Sequence, residues 1–546
     1  MSALINSAMS GLSAAQSALN ITSANISNYT VAGYNRQQVL LAQANSTFSG
    51  NAWYGNGVKV DGVQRQYDEL ITRQLRTASA LNSAAGSQYT QLSGIDNLMT
   101  MNGNDLSDSF QSFFKNIQNV IDSAEDPSAR QAMFSDAQSL AGQLRTMQQY
   151  LDNLQSNTND QISDTISSIN SDTRQIAALN KQIARLSGNG EAPNNLLDQR
   201  DQLVSDLNNL TAVNVSVQDG NMVVSLPNGL TLVNGDQTTQ MKAMPSAADP
   251  TRLVPGYTDK TAGDTPLPDK LFTGGSLSGL LKFRSEDLDS VQSQLGQMAV
   301  TFATRMNQIQ HQGYDSDGNE GSDFFTVGSP VVFGNSKNSS DTSVSAAYSD
   351  TSALQASDYR VAYQGGQWKV TRLSDNQTIT PQISDDQGET HLSFDGLDLT
   401  VNGSPAEKDS FLVKPLSEAG RDFSVALTSG SQIAAAGETG AASDNSNVKK
   451  MLELQDEKMV GGKATLTQAY GSMVSYVGNK TSSLQSSCDT QQLVVDQLTQ
   501  RQQSVSGVNL DEEYSMLTQY QQYYIANTKV LQTADTLFNS LISITG

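Results

Sequence analysis

The sequence predicts a multidomain, mainly α chain with β insertions. Its terminal helices form a coiled coil, a bundle of long helices makes a second domain, and an antiparallel β domain lies outermost. Three observations carry this expectation. Sevenfold apolar stripes occupy both ends of the 546-residue chain. The same spacing runs through long central stretches. Two further blocks switch to a period of two and are punctuated by turn residues.

The terminal stripes come first. Ile5, Leu12, Leu19 and Ile26 recur every seven residues, with Ala8, Ala15 and Thr22 three positions after the first three. At the other end Leu510, Leu517, Tyr524, Leu531 and Phe538 do the same, with Tyr520, Ala534 and Leu541 on their face. A seven-residue apolar period buries one narrow seam against another helix. Neither stripe has a long helical partner nearby in sequence, so the ends are expected to pair with each other or with neighbouring copies. The N-terminal seam is thin and rich in Ala and Ser, so order there is expected only once a partner is found.

A glycine-marked connector follows, through Gly33, Gly50, Gly55, Gly57 and Gly62. Helical patterning resumes near Tyr67 and runs through Ile71, Ala78, Ala85, Leu92 and Met99, then from Leu106 to Ile121 and from Leu140 to Leu186. Ile162, Ile169, Ile176 and Ile183 keep sevenfold spacing, with Leu179 and Leu186 completing their face. Asn194 reads as a capped helix start after Pro193. Between about 212 and 273 the period becomes two, with a hairpin signal at Asp219-Gly220-Asn221. A second helix pair is expected from Leu277 to Ile309.

A second β block has clear turns at Gly365-Gly366 and Asp395-Gly396. Leu466, Tyr470, Met473, Val477, Leu484, Val494, Leu498 and Val505 then share a heptad frame up to Ser506-Gly507. The expected domains are therefore nested. Residues 1–61 and 507–546 form the terminal coiled-coil domain, and residues 62–324 and 428–506 the helical domain with its β insertion near 212–273. Residues 325–427 form the outer β domain.

Composition narrows the function classes. A net charge of −22 repels phosphate backbones and argues against nucleic acid as a partner. No apolar run approaches the ~20 residues of a membrane span, so no membrane insertion is expected. The first basic residue is Arg36, so a charged secretory n-region is missing. Cys488 is the single cysteine, and its neighbours Ser486, Ser487 and Asp489 supply nothing to activate a thiolate. His311 and His391 are the only imidazoles, too few for a multi-histidine metal site.

Asp315-Ser316-Asp317-Gly318-Asn319 resembles a calcium loop, but the sixth position is Glu320 and the twelfth Thr326, where an EF-hand needs Gly and Glu. No cofactor motif and no nucleophile–base constellation stands out. The acidic run Asp511, Glu512 and Glu513 reads as the charged first turn of a helix. Tyr523-Tyr524 reads as seam packing.

The stretch Ser23-Ala24-Asn25-Ile26-Ser27-Asn28, followed by Gly33-Tyr34-Asn35-Arg36-Gln37, resembles the signature of bacterial flagellar rod, hook and hook-associated proteins. Asn25, Asn28, Gly33 and Tyr34 carry that motif; where many relatives have Thr-Pro before Gly-Tyr, this chain has Val31-Ala32. The runs from Ser506 to Tyr514, Gln521 to Asn527 and Val530 to Ala534 resemble the C-terminal signature of the hook-associated members. Internal segments from Asn194 to Leu203 and from Gly275 to Arg284 agree.

The resemblance implies a non-enzymatic structural subunit at the hook–filament junction. It would be exported through the flagellar type III apparatus without a cleaved signal. Its partners would be copies of itself, the hook protein, the next hook-associated protein on the filament side, and an export chaperone at the C-terminal helix. A hook or distal-rod protein is the nearest alternative, and flagellin is disfavoured because its terminal motifs are absent. A hydrolase carried in the β domain, or a surface-adhesion module, would be alternatives of another class.

Overall fold

The computed structural model describes residues 2–49, 51–100, 106–188, 193–218, 221–259, 261–386, 389–441 and 443–545. Its helices in chain order are α1 (Ser2–Asn28), α2 (Glu69–Thr100), α3 (Leu106–Asp122), α4 (Pro127–Ser187) and α5 (Asn194–Leu210), then α6 (Ser276–Lys282), α7 (Asp289–Gln310), α8 (Ser446–Glu453), α9 (Leu466–Ser506) and α10 (Leu510–Thr545). Helices α1 and α10 lie along each other, as do α2 and α9. Long terminal helices and separate β sheets thus agree with the coarse expectation.

The 61-residue helix α4 is the spine. At 1.5 Å per residue it spans about 90 Å, too long for one core to cover. It starts thirteen residues earlier than the apolar pattern suggests, because Asp126 caps it and Pro127 occupies its first turn. Its first half buries Met133, Leu140, Leu144 and Leu151 in a core shared with α3, α7, α8 and the start of α9. Phe110, Phe113, Phe302, Phe324, Phe325 and Phe423 meet there as edge-to-face, tilted and stacked rings.

The second half of α4 buries Ile162, Ile166, Ile169 and Ile176 in a different core. Two small antiparallel sheets close that core. One is four-stranded, with strands Asn214–Gln218, Asn221–Ser225, Thr231–Asn234 and Gln237–Thr238 in sequence order. The other is the three-stranded meander Met241–Pro245, Leu253–Asp259 and Gly263–Pro266. Asn170 of α4 fastens the meander, bonding both backbone groups of Met241 at 2.8 Å. The hairpin read at residues 219–221 is present as strand pairing, Gln218 opposite Asn221, while Asp219 and Gly220 lie outside the described residues.

The outer β block packs a five-stranded sheet on a four-stranded one around Tyr359, Val361, Val370, Leu392, Leu397, Leu399 and Val413. Val361 faces Val370 and Tyr363 faces Trp368 across Gly365-Gly366; Leu392 faces Leu399 across Asp395-Gly396. Both turns need positive φ, which Gly365, Gly366 and Gly396 supply, with Asp395 the one non-glycine among the four.

Several residues differ from the sequence reading. Leu186 is exposed, because α4 outruns its sheets there. Asn194 does not cap its own helix; its amide donates to the carbonyl of Val63 at 2.9 Å. Leu277 to Ile309 is one helical run through a π-turn at Phe283–Leu288, not a helix pair. Val494 and Val505 are exposed on the far half of α9. Phe325, Phe423 and Leu427, at the edges of the expected β domain, belong to the helical core because their rings and side chains complete its aromatic cluster. Among the described residues, no helix is long and apolar enough to cross a membrane.

Two consequences are measurable. Phe113→Ala should cost about 3–5 kcal/mol by opening a cavity under four rings, read from denaturant unfolding. Burial, helped by nearby Asp206, lifts the Asp172 carboxyl to about 6. Folding therefore favours its neutral form. Its stabilisation is full below the ordinary value of 3.8 and is lost as pH rises through about 6. Asp172→Asn should flatten that part of the stability–pH curve; an unchanged slope would contradict it.

Candidate assembly interface at the chain ends

Helices α1 and α10 run antiparallel. Asn25 meets Glu513, and Gly11 meets Asn527, so equal lengths of the two helices lie between the two contacts. A Cβ on Gly11 would overlap the Asn527 side chain, so the smallest residue stands where the helices approach most closely. The N-terminal side of the seam is Ala8, Ala14, Ala15, Ala18, Thr22 and Asn25, all buried. Ile5, Leu12, Leu19 and Ile26 are half-buried at its margins.

On α10 the buried positions are Glu513 and Ala534, with Tyr520 and Asn527 half-buried between them. This stripe is itself sevenfold. Leu510, Leu517 and Leu531 are half-buried beside it. Tyr524, Phe538 and Leu541 are 40%, 48% and 51% exposed. Extending the register places Ser2 opposite about residue 536, so the last turns of α10 run past the start of α1. This overhang explains the exposure of Phe538 and Leu541 in the single chain.

The seam is pinned by charge at its inner end. Glu513 is only 1% exposed, as is Asn25. The Arg36 guanidinium donates to Glu513 Oε1 at 2.7 Å and to Glu512 Oε2 at 2.8 Å. Asn25 Nδ2 donates to Glu513 Oε2 at 3.1 Å and to the carbonyl of Gln37 at 2.9 Å. Asn25 Oδ1 in turn accepts from Tyr34 Oη at 2.8 Å and from the Gln37 amide at 3.0 Å. A buried carboxylate is stable only when paired and bonded in this way. Burial, reinforced by Asp198 and Glu513, pushes the Tyr34 hydroxyl up to about 12, so it stays a donor.

The same loop ties the helix pair to the rest of the chain. Gly33 turns with φ +78, and a Cβ there would press on Gln202 of α5. Asn35 donates to Asp198 of α5 from its side chain at 2.6 Å, and Arg65 bridges Asp198 and Asp201 at 3.0 and 2.7 Å. The Arg36 amide donates to the Ser506 carbonyl at the end of α9 at 2.8 Å. Asn28 closes α1 by bonding the Ala24 carbonyl at 2.9 Å.

The motif residues Asn25, Asn28, Gly33 and Tyr34 thus share one junction. The sequence reading missed Arg36, Glu513, Asp198 and Arg65. Helix α10 takes Asn509 as its cap and uses Asp511 and Glu512 at its surface, but Glu513 is turned inward. The available signal was the Arg in Asn35-Arg36, a cation set among uncharged neighbours.

Other singled-out residues lie elsewhere. Asp315 folds its carboxylate onto the amides of Asp317 and Asn319 at 2.8 and 2.9 Å, closing a turn on itself. Cys488 is partly covered on α9, and its burial beside Asp489 raises the thiol pKa. Among the described residues, no group of three or more His, Cys, Asp or Glu could hold a metal ion. The clamp is testable. Glu513→Ala should leave Asn25 without its carboxylate and Arg36 with Glu512 alone, and cost about 1–3 kcal/mol of helix docking. Amide exchange should then rise in residues 8–25 and 513–534 while α3 and α7 stay protected.

Comparison with known proteins finds relatives along the whole chain. Residues 92–325 match the family model for the flagellar hook-associated protein FlgK helical domain, and 333–415 that for the D2-like domain of flagellar hook-associated protein 1. Residues 5–35 match the flagella basal body rod protein model, and 500–544 the C-terminal model of flagellar basal body rod FlgEFG proteins. The chain is 50% identical to flagellar hook-associated protein 1 of Salmonella typhimurium and 48% identical to that of Escherichia coli, each over 100% of both chains. The solved flagellar hook junction protein FlgK from Burkholderia pseudomallei aligns with TM-score 0.73 and 29% identity, over 79% of this chain and 100% of that one. With half its residues identical to a relative's across the full length of both, the chain belongs to the flagellar hook-associated protein 1 family and is a structural component of the flagellum.

Proposed function

We propose that this chain forms the hook–filament junction and joins copies of itself there through α1 and α10 packed as a coiled coil. The observation that carries the reading is the antiparallel terminal pair, registered by the Glu513 clamp and flanked by exposed apolar residues. A monomer has no use for such flanks, whereas a neighbouring copy would bury them. Ile5, Leu12, Leu19, Ile26, Leu510, Leu517, Tyr524, Leu531, Phe538 and Leu541 form the assembly interface in this reading.

Residues 1–61 and 507–546 make the assembly domain, with the helical domain outside it and the β domain outermost. The hook protein packs on one side and the next hook-associated protein on the filament side. An export chaperone covers α10 before passage through the type III apparatus. The role is mechanical and not catalytic. In the β domain the cluster of Ser393, Asp398 and His391 supports that view. Ser393 donates to Asp398 at 2.9 Å and His391 Nδ1 lies 2.9 Å from the same carboxylate. The carboxylate stands between hydroxyl and imidazole, whereas a nucleophile needs the imidazole next to it.

Leu531→Asp tests the reading in a strain lacking the wild-type protein. Leu531 is half-buried in the single chain and covered by the neighbouring copy in this reading, so a charge there costs several kcal/mol on assembly, and secreted protein should keep folded central domains yet support no filament. Normal filament growth would contradict it. Deleting residues 2–28 should likewise abolish attachment. Replacing the strands between Val331 and Lys414 with a Gly/Ser linker should leave at least partial assembly, because their core is largely their own.

A further inference from the structure

The connector between α1 and α2 carries a feature that the terminal stripes do not explain. Strands Thr47–Ser49 and Ala52–Tyr54 form a small hairpin whose aromatic residues face solvent. Phe48 and Tyr54 are exposed, and Trp53 is 72% exposed. Phe48 and Trp53 rest on each other with ring centroids 5.3 Å apart. Leu40, Leu41 and Val60, also exposed, continue the apolar strip along the adjoining ladder of Gln37–Gln43 and Val58–Arg65. No charged residue occurs from 44 to 57, in a chain of net charge −22.

The hairpin is also held in place. Its base is locked to α1 by Ser10, whose Oγ accepts from the Val58 amide at 3.2 Å. Gly57, at φ +91, lies so close that a Cβ would overlap Ser10. Asn56 Nδ2 spans the base to the Asn45 carbonyl at 2.6 Å and Thr47 Oγ1 at 2.5 Å. A braced display of Trp, Phe and Tyr has the composition of a binding anchor and little ordering entropy left to lose.

A matching surface exists on the same chain. Tyr523, Val530, Leu537 and Ile544 form another sevenfold stripe, on the flank of α10 away from Leu517 and Leu531, and all four are exposed. From 514 to 545 the only charged residues of α10 are Lys529 and Asp535. Both surfaces are exposed in one chain, so neither covers the other. Two different patches that fit each other join copies head to tail, which closes a ring or climbs a helix.

We propose that the hairpin of one copy packs its Phe48, Trp53 and Tyr54 rings on the Tyr523–Val530–Leu537 flank of α10 in the next copy. This rests on the assembly reading above, and the test separates the two. Trp53→Cys and Val530→Cys are combined in a Cys488→Ser chain, and isolated flagella are oxidised. A ladder of interchain multimers is expected, absent from the secreted monomer and from either single-cysteine chain. In parallel, Phe48→Ser with Trp53→Ser should leave the monomer's unfolding midpoint unchanged and reduce the protein retained on flagella at least tenfold.

No ladder, together with wild-type retention of the serine variant, overturns the hairpin contact alone. A ladder formed instead with a cysteine partner on the hook subunit also overturns it, since the occupant would not be a second copy. Copies of the wild-type chain that are absent from isolated flagella would overturn the assembly reading itself.

Discussion

A carboxylate buried between two helices from opposite ends of the sequence governs this structure. Glu513 is closed off from water, and its charge is tolerable only because Arg36 and Asn25 both reach it. Arg36 sits in the loop after α1, so pairing it with Glu513 fixes the register of α1 on α10 at one point. Antiparallel packing then aligns the remaining seam, including the close approach at Gly11. The seam itself is mostly alanine and threonine, which bury little area and discriminate weakly between registers. A polar clamp supplies the specificity that so thin a seam lacks.

The clamp also couples the ends to the body. Asn35 of the same loop and Arg65 of the adjoining strand dock onto α5 through Asp198 and Asp201, and the Arg36 backbone meets the end of α9. Helix α5 packs on α4, so a load applied to the terminal pair passes into a spine of about 90 Å that touches two separate cores. Dividing the interior in this way gives each half of the spine a core of its own.

Much of this was legible in the residues because periodicity reports burial. The Ile162–Ile183 run and the two glycine-marked hairpins of the β block are where their spacing puts them. What was not legible has a common cause. Helix α10 carries three apolar or small-residue stripes, and sequence alone does not say which faces α1. The heptad of Leu517, Tyr524 and Leu531 has the larger side chains, yet the closest approach uses Tyr520, Asn527 and Ala534, because Gly11 and the alanines of α1 admit them. Glu513 looked like a solvated first-turn acid because helix-start statistics favour that reading, and its partner lies far away in the chain. Phe325 looked like the first residue of a strand domain, but rings brought from three distant segments, those of Phe113, Phe302 and Phe423, claim it for the helical core.

Antiparallel pairing of the chain ends in a single register is the claim on which all of this stands. Spin labels on the exposed positions Gln16, Gln522 and Ser543, in a Cys488→Ser chain, measure it most directly. Labels at 16 and 522 should give one short, narrow distance. Moving the second label to 543 should lengthen it to a little over about 30 Å, because the rise of the intervening helix then separates the labels. A broad distribution for both pairs, or a shorter distance to 543 than to 522, would contradict the arrangement.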